Sequence, residues 1–421
     1  MNHKEYAVVS LFSGCGGLDL GLTQAGFSVE LAIEIDPVAC ETYKINHPKT
    51  IVWNKDVTTV SGKEIKKVIG NKKIIVAGGS PCQSWSEFKL EMKNNKTGLE
   101  DYRGQLIYEY LRLVEELQPE MIVFENVPYM VSKQHLPAFQ EFKEKLHKRT
   151  GLSLEYKILN AFHFGQAQLR ERVIMIGRKE GIPNPFHFLK CIEGAKTLRE
   201  ALKDCPSSEY FPFKKSDKEV MKSIKEGQCW NVLPPNIAYQ VMGKNYRGIC
   251  LDCGHPFTGR NQCPKCNSYR FKNGKGITSY LRRLSWDKPS YTVCAVPTNK
   301  THGMLAHPTE QRCLSIRECA RLQGFPDTFI FKGNIIEKQK QIGNAVPVGM
   351  AKAVGLAMME ALTREKETTK MLEYIVHHPN SFILTELEKD FVRLCLKKQQ
   401  DQKKFPEKYS TYLKEIIRKI K

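Results

Sequence analysis

What the chain lacks narrows its reading first. No stretch of its 421 residues approaches the ~18 to 20 consecutive apolar residues that a bilayer-spanning helix needs, and Met1-Asn2-His3-Lys4-Glu5 opens without a secretory apolar core. A cytoplasmic protein with no membrane partner is expected. Acidic residues are in deficit, 45 against 65 Lys and Arg, which leaves a formal charge of +20. Such an imbalance points to a polyanion, nucleic acid first, or else to a merely solvated Lys-rich surface. Repeats and low-complexity tracts are absent, which excludes solenoids. The 14 cysteines of a chain this long read as reduced thiols, metal ligands or catalytic groups and not as a disulfide scaffold. What remains, 41% hydrophobic and 26% charged residues, describes an ordinary globular chain of two or three domains.

The stretch that organises the rest is Gly79-Ser80-Pro81-Cys82-Gln83-Ser84. Lys73 to Ala77 before it is short, apolar and β-branched, so it reads as a buried parallel strand with Cys82 just past its carboxyl end, where ligands collect in open α/β sheets. Pro81 fixes its own φ and keeps the preceding residue extended, which aims the thiol. By itself the cysteine reads first as a small packed hydrophobe, and only the residues that accompany it favour a nucleophile.

In chain order, residues 6–12 read as a first strand, Ser13-Gly14-Cys15-Gly16-Gly17 as a glycine-rich turn, Leu18 to Ala25 as a helix and Val29 to Ile35 as a second strand ending at Glu34-Ile35-Asp36. Glycines in such a turn admit a ligand to the backbone, and an acid after the next strand accepts from ribose hydroxyls. The spacing is not G-x-G-x-x-G, so a structural turn stays open beside a nucleoside-containing cofactor. Strands then precede Asp56 and Cys82, a helix covers Gln105 to Leu117, and Met121 to Phe124 leads to Glu125-Asn126-Val127-Pro128. The polar run between Ser86 and Gly104 reads as a mobile lid over Cys82. Two further strands, Tyr156 to Phe164 and Arg172 to Gly177, flank Gln168 and Arg170.

After Gly181-Ile182-Pro183 the alternation stops. Within the new stretch, Cys250-Leu-Asp-Cys253 is followed after nine residues by Cys263-Pro-Lys-Cys266, two C-x-x-C knuckles that predict a closed, structural zinc ribbon over about 248–268. From His307 the earlier pattern returns: a helix over Leu314 to Gln323 capped by Ser315, and a last helix opened by Ile342-Gly343-Asn344-Ala345-Val346-Pro347 and running to about Leu362. The tail to Lys421 is basic and amphipathic, either a grip on phosphate or a solvated helical pair.

Cys82, Glu125 and Arg172, with Gln168 and Arg170 beside the last, suit one reaction. Cytosine C5 accepts a methyl group only after a nucleophile adds at C6; a thiolate is the natural adding group, a carboxyl serves N3 and a cation steadies O2. Here the sequence resembles the DNA cytosine-5 methyltransferases over residues 6 to about 182 and about 280 to 362. The matches, in the family's order, are Phe12 to Gly17, Glu34, Asp56, Pro81-Cys82-Gln83, Glu125-Asn126-Val127, Gln168 with Arg170 and Arg172, Arg317 to Pro326, and Gly343 to Val346.

The resemblance implies an α/β fold: a Rossmann-like sheet with helices on both faces, and a smaller target-recognition domain carrying the zinc ribbon. The domains expected are 1–182 for catalysis and cofactor, 183–306 for recognition, 307–362 as the return and 363–421 as a basic helical extension. It implies S-adenosylmethionine held by Phe12, Gly14, Gly16, Gly17, Glu34, Ile35, Asp56, Pro81, Leu106, Asn344, Ala345 and Val346, with Ile35 standing where the family often has an aromatic. It implies further a flipped cytosine in double-stranded DNA, a monomer on that DNA, and a bacterial restriction endonuclease acting on the same site. An RNA (tRNA) methyltransferase on the same scaffold and a silent DNA-binding protein are the rival readings. The first is disfavoured by the large recognition segment and by the missing Cys-Phe-Thr signature of the family's tRNA branch.

Overall fold

The computed structural model describes residues 5–80, 102–274, 280–298 and 304–377. Its first strands and helices alternate: β1 (Tyr6–Leu11), α1 (Gly17–Gln24), β2 (Val29–Glu34), α2 (Pro37–Asn46), β3 (Ile51–Asn54), α3 (Gly62–Ile69), β4 (Lys73–Gly78), α4 (Tyr102–Leu117), β5 (Met121–Asn126), α5 (Leu136–Thr150), β6 (Ser153–Asn160), β7 (Gln168–Leu169) and β8 (Glu171–Arg178). A seven-stranded sheet takes the order β3-β2-β1-β4-β5-β8-β6. The first five of these neighbours pair in parallel, whereas β8 runs antiparallel to β5 and β6. β1 is buried from end to end and β4 almost so, as strands covered on both faces must be. Because the chain leaves β1 toward β2 and resumes on its other side at β4, the strand ends diverge there and open a crevice.

Past the sheet come α6 (Leu198–Ala201), β9 (Tyr210–Pro212), α7 (Lys215–Lys222), α8 (Pro235–Met242), β10 (Arg247–Cys250), β11 (Pro256–Thr258), β12 (Phe271–Asn273) and β13 (Ser290–Tyr291). The chain then gives β14 (Arg312–Ser315), α9 (Ile316–Leu322), α10 (Ile335–Asn344) and α11 (Val348–His377). Helices cover both sheet faces, as the sequence leads one to expect. Ile65, Tyr110, Leu111, Phe139 and Phe142 of α3, α4 and α5 close one side. Leu18 and Leu22 of α1 with Met350, Val354 and Met358 of α11 close the other. Short polar signals start the helices: Asp36 accepts from the Val38 and Ala39 amides ahead of Pro37, and Ser61–Glu64, Ser315–Glu318 and Asn334–Glu337 form capping boxes.

Several boundaries differ from the sequence reading. Tyr102 to Gly104, assigned to the lid, already belong to α4; the remainder of that lid from Ser86 lies outside the described residues. Leu314, assigned to the helix that Ser315 caps, lies in β14, which pairs with β9, and the helix itself starts at Ile316. Ile342 to Asn344 close α10 instead of opening the last helix, which begins past Pro347 and continues beyond Leu362 to His377. Pro347 explains the break, since it cannot donate within a helix. One 18-residue window within residues 335–364 is apolar enough for a membrane span by composition, but 72% of it is buried inside the protein. Nor does packing change at residue 183. Ile182 and Phe186 share the core under α1 and α11, and Leu198, Leu202, Leu284 and Val293 pack with Ile316, Leu322 and Phe325. A further core, centred on fully buried Trp230 and Tyr246, gathers residues from Phe213 to Leu281 with Met304, Ala306 and Cys313.

Candidate active site

The turn after β1 begins at Phe12, a non-glycine residue at φ 55°, followed by Gly14 at φ 55° and Gly16 at φ 91°. This fold-back aims the Gly14 amide at Glu34 Oε2 (2.8 Å), while Glu34 Oε1 accepts from the Asp36 amide (2.9 Å). Each carboxylate oxygen keeps a lone pair for a ligand hydroxyl. Burial pushes the Glu34 carboxyl up, and the Asp36 and Gly14 amides oppose that rise. Asp36 is spent otherwise: Oδ1 caps α2 and Oδ2 takes Lys340 Nζ at 3.1 Å. Burial would raise its pKa, but Lys340 and the Ala39 and Val38 amides outweigh this and hold it below the usual range. Phe12, Ile35, Asp56, Leu106, Asn344, Ala345 and Val346 line one cleft of about 640 Å³ with Gly14, Gly17 and Glu34. Ile35 is 56% exposed, an open apolar wall.

The same cleft reaches Gly79, Ser80, Glu125 and Arg172. β4 ends against β5 so closely that a Cβ at Gly79 would lie 2.0 Å from the Glu125 carbonyl oxygen, so only glycine fits. Asn126 then donates through Nδ2 to the Ser80 carbonyl (3.1 Å) and accepts from the Val127 amide (2.9 Å), pinning the chain two residues before Cys82 in sequence. Pro81 and Cys82 themselves lie outside the described residues. Glu125, next to last in β5, lies opposite Ile174, and Arg172 near the start of β8 meets it: Arg172 Nε lies 2.8 Å from Glu125 Oε1, with side chains only 14% and 16% exposed.

Residues 6–360 match the family of C-5 cytosine-specific DNA methylases. The chain belongs to that family. It is similar to the type II methyltransferase M.Sau96I of Staphylococcus aureus, 34% identical over 366 residues that cover 86% of this chain and 77% of that one. It is also similar to M.Eco47II of Escherichia coli, at 31% over 373 residues, covering 86% and 81%. Its fold resembles that of the S. pombe Dnmt2 methyltransferase, with a TM-score of 0.57 at 18% identity over 85% of this chain and 99% of that one. The protein is a DNA cytosine-5 methyltransferase, and its family draws the methyl group from S-adenosylmethionine.

Three residues assigned to the site from sequence make close contacts within the protein itself. Gln168 and Arg170, read as catalytic with Arg172, are buried and hydrogen-bond to the protein itself, and Arg170 also lines the cleft with Arg172. Gln168 donates to Leu322 O and Gln323 Oε1 (3.0 and 2.9 Å) and accepts from the Val293 amide (2.8 Å). Arg170 donates to the carbonyls of Val293, Gly343 and Ala345 (2.7, 2.9 and 3.0 Å). Burial first, and the neighbouring Arg172 charge second, depress the Arg170 pKa well below its ordinary value. Gly16, read as a cofactor residue, is absent from the cleft lining; a Cβ there would meet His47 Nε2 at 2.5 Å, so it serves the turn that starts α1. Conversely, sequence reasoning passed over Asn126 as a pin and Lys340 as a partner of Asp36. Asn126 stands in the Glu125-Asn126-Val127 motif with no role of its own in the sequence reading, and nothing local marks Lys340.

Apart from the cleft, Cys250, Cys253, Cys263 and Cys266 place all four sulfurs within 4.8 Å of one another. Cys250–Cys266 and Cys253–Cys263 Sγ atoms are 3.5 and 3.6 Å apart, too far for disulfides. Thiolates at ~2.3 Å from a tetrahedral ion would lie about 3.8 Å apart, close to this spacing. The Lys265 amide points at Cys263 Sγ (3.4 Å).

Glu125→Gln keeps a hydrogen bond to Arg172 but removes the titratable carboxyl, so kcat should fall by roughly 10²- to 10⁴-fold while the cofactor KM, set at the other end of the cleft, stays within a few-fold. Arg172→Lys lacks the Nε arm and should also lose kcat without losing the fold. Steady-state kinetics with circular dichroism check both, and unchanged kcat in Glu125→Gln would remove the carboxyl from the chemistry.

Proposed function

We propose that the protein methylates C5 of a cytosine flipped out of a specific duplex DNA sequence, through a transient bond between Cys82 Sγ and C6. The observation that carries this reading is the single cleft joining Glu34, at the end of β2, to the Glu125–Arg172 pair, at the junction of β5 and β8. Its size falls in the roughly 300 to 1,000 Å³ range of small-molecule sites. S-adenosylmethionine, when bound, supplies an electrophilic methyl group. The residues present fit it: Phe12 and Ile35 offer apolar walls to an adenine, Glu34 has free lone pairs for ribose hydroxyls, Asp56 would accept from the adenine amino group, and Asn344 to Val346 would close the remaining side.

The chain's own residues then act on the pyrimidine. The C6 atom lies inside the stack of a duplex, so the base must leave it for a thiolate to reach the ring face. Cys82 Sγ donates an electron pair to C6; Glu125 gives a proton or hydrogen bond at N3 as charge builds there, and Arg172 steadies O2 and the carboxylate. C5, now enamine-like, takes the methyl group. Loss of the C5 proton to a base, water serving as well as a side chain, restores the double bond and expels the thiolate. Gln168 and Arg170 contribute by fixing the backbone at 293, 322–323 and 343–345 around this cleft.

Residues 183–306, in our reading, choose the target sequence, and the four cysteines hold a structural zinc ion as thiolates, with no coordination position left for chemistry. The type II names of the relatives fit a methylase that marks the site of a restriction endonuclease; in our reading it works in a bacterial cytoplasm, as a monomer on its DNA.

Cys82→Ser should abolish methylation, read by bisulfite sequencing of a plasmid from expressing cells; full protection from bisulfite conversion at one sequence in cells with the wild type also defines the target. Persistent activity in Cys82→Ser would refute the covalent step. Purified protein should carry about one equivalent of zinc, and a strong chelator should lower its thermal midpoint and its DNA affinity together. Less than half an equivalent of metal, with DNA binding intact, would remove zinc from the account.

A further inference from the structure

The segment that carries the four clustered cysteines holds a sheet whose two faces differ sharply. β10 lies between β11 and β12, both antiparallel to it, with Arg247 opposite Thr258, Gly248 opposite Phe257 and Asn273, and Ile249 opposite Pro256 and Lys272. Directly opposed residues share a face. Gly248, Phe257 and Asn273 therefore turn inward, where Phe257 and Phe271 pack around Tyr246 and the Tyr246 hydroxyl donates to Asn273 Oδ1 at 3.0 Å. The other face presents Arg247, Thr258, Pro256 and Lys272, all exposed.

That face is positive and unneutralised. From Lys244 to Gly274 the sequence holds six Lys and Arg and a single acid, Asp252. Asp252 is taken by Arg270 Nη1 at 2.8 Å and by the Ser268 hydroxyl. Among the described residues, neither Arg247 nor Lys272 has an ion pair; Arg247 reaches only the Thr258 hydroxyl, at 3.4 Å. A metal bound by four thiolates would remove two charges and still leave the segment positive. Like charges held on neighbouring strands cost stability unless something of opposite sign meets them. Shape then selects the mode of contact. Three strands spaced ~4.8 Å apart measure about 10 Å between their outer axes before side chains are added, too broad a slab for the ~12 Å major groove, which admits a two-stranded ribbon. The outward residues also include no Asn, Gln or acid of the kind that reads adenine or cytosine edges.

We propose that the outward face of the β10–β11–β12 sheet, through Arg247 and Lys272, grips the phosphate backbone of the duplex being methylated. It holds the register of the protein on DNA and leaves base choice to other parts of the chain. This rests on the DNA-methylating reading above. The test uses the full-length, metal-loaded protein and fluorescence anisotropy over a salt series, with a short duplex carrying the site mapped by bisulfite sequencing and a scrambled duplex of equal length. Arg247→Ala/Lys272→Ala should weaken binding to both duplexes by the same factor, on the order of tenfold near 0.1 M salt, and reduce the slope of log K against log salt by about 2. Methylation at saturating DNA and metal content should be unchanged. Arg247→Lys/Lys272→Arg should restore binding, which a merely damaged fold would not allow. Unaltered affinity and slope in the alanine variant would mean a solvated face and overturn the proposal; loss confined to the cognate duplex would overturn it in favour of base reading. A wild-type protein that binds neither duplex would instead bring down the DNA-methylating reading itself.

Discussion

The Glu125–Arg172 ion pair is the interaction on which the site depends, and it exists because one strand of the sheet runs backwards. In a wholly parallel sheet the neighbour of β5 would bring its own carboxyl end to the crevice. Here β8 is antiparallel, so the start of that strand lies beside the end of β5 and the arginine near it meets the glutamate at 2.8 Å. Neither side chain is much exposed, and a charge left alone there would cost several kcal/mol in the fully buried limit. Pairing offsets that cost at the end of a cleft whose other end suits a nucleoside.

A second layer of polar contacts keeps that cleft in shape. Arg170 is buried and donates through Nη1 and Nη2 to three backbone carbonyls from segments more than a hundred residues away in sequence. Gln168 and Gln323 interlock beside it, and Gln323 donates in turn to the carbonyls of Ile342 and Ala345 (2.6 and 3.1 Å). Such a network favours one arrangement strongly, because each member left unpaired inside the protein costs a full desolvation penalty. The wall formed by Asn344 to Val346 is thus fixed by residues that do not themselves touch the reacting atoms.

Much of this was legible in the chain. The strands Tyr6–Leu11 and Lys73–Gly78 are apolar runs of strand length, Glu34 and Glu125 are acids at strand ends, and Ser315 with Glu318 forms a cap at the standard spacing. What escaped depends on long-range packing. Gln168, Arg170 and Arg172 alternate in sequence, and nothing local says that two of them meet backbone carbonyls while the third meets a carboxylate. Gly16 and Gly14 look alike in sequence, but His47 and Tyr43 crowd the space beside Gly16 and leave that beside Gly14 open. The break between α10 and α11 was marked by Pro347, but the helical run of Ile335 to Gln341 before it lacks an obvious apolar stripe, so the motif looked like a beginning when it is an end.

The most direct measurement is mass spectrometry of the protein incubated with S-adenosylmethionine and a duplex in which the target cytosine carries fluorine at C5. Fluorine cannot leave as a proton does, so the thiolate is not expelled after methyl transfer. The account predicts a stable protein–DNA adduct mapping to the peptide that contains Cys82, formed only when the methyl donor is present. An adduct on any other residue, or none from a protein that methylates the unfluorinated duplex, would contradict it.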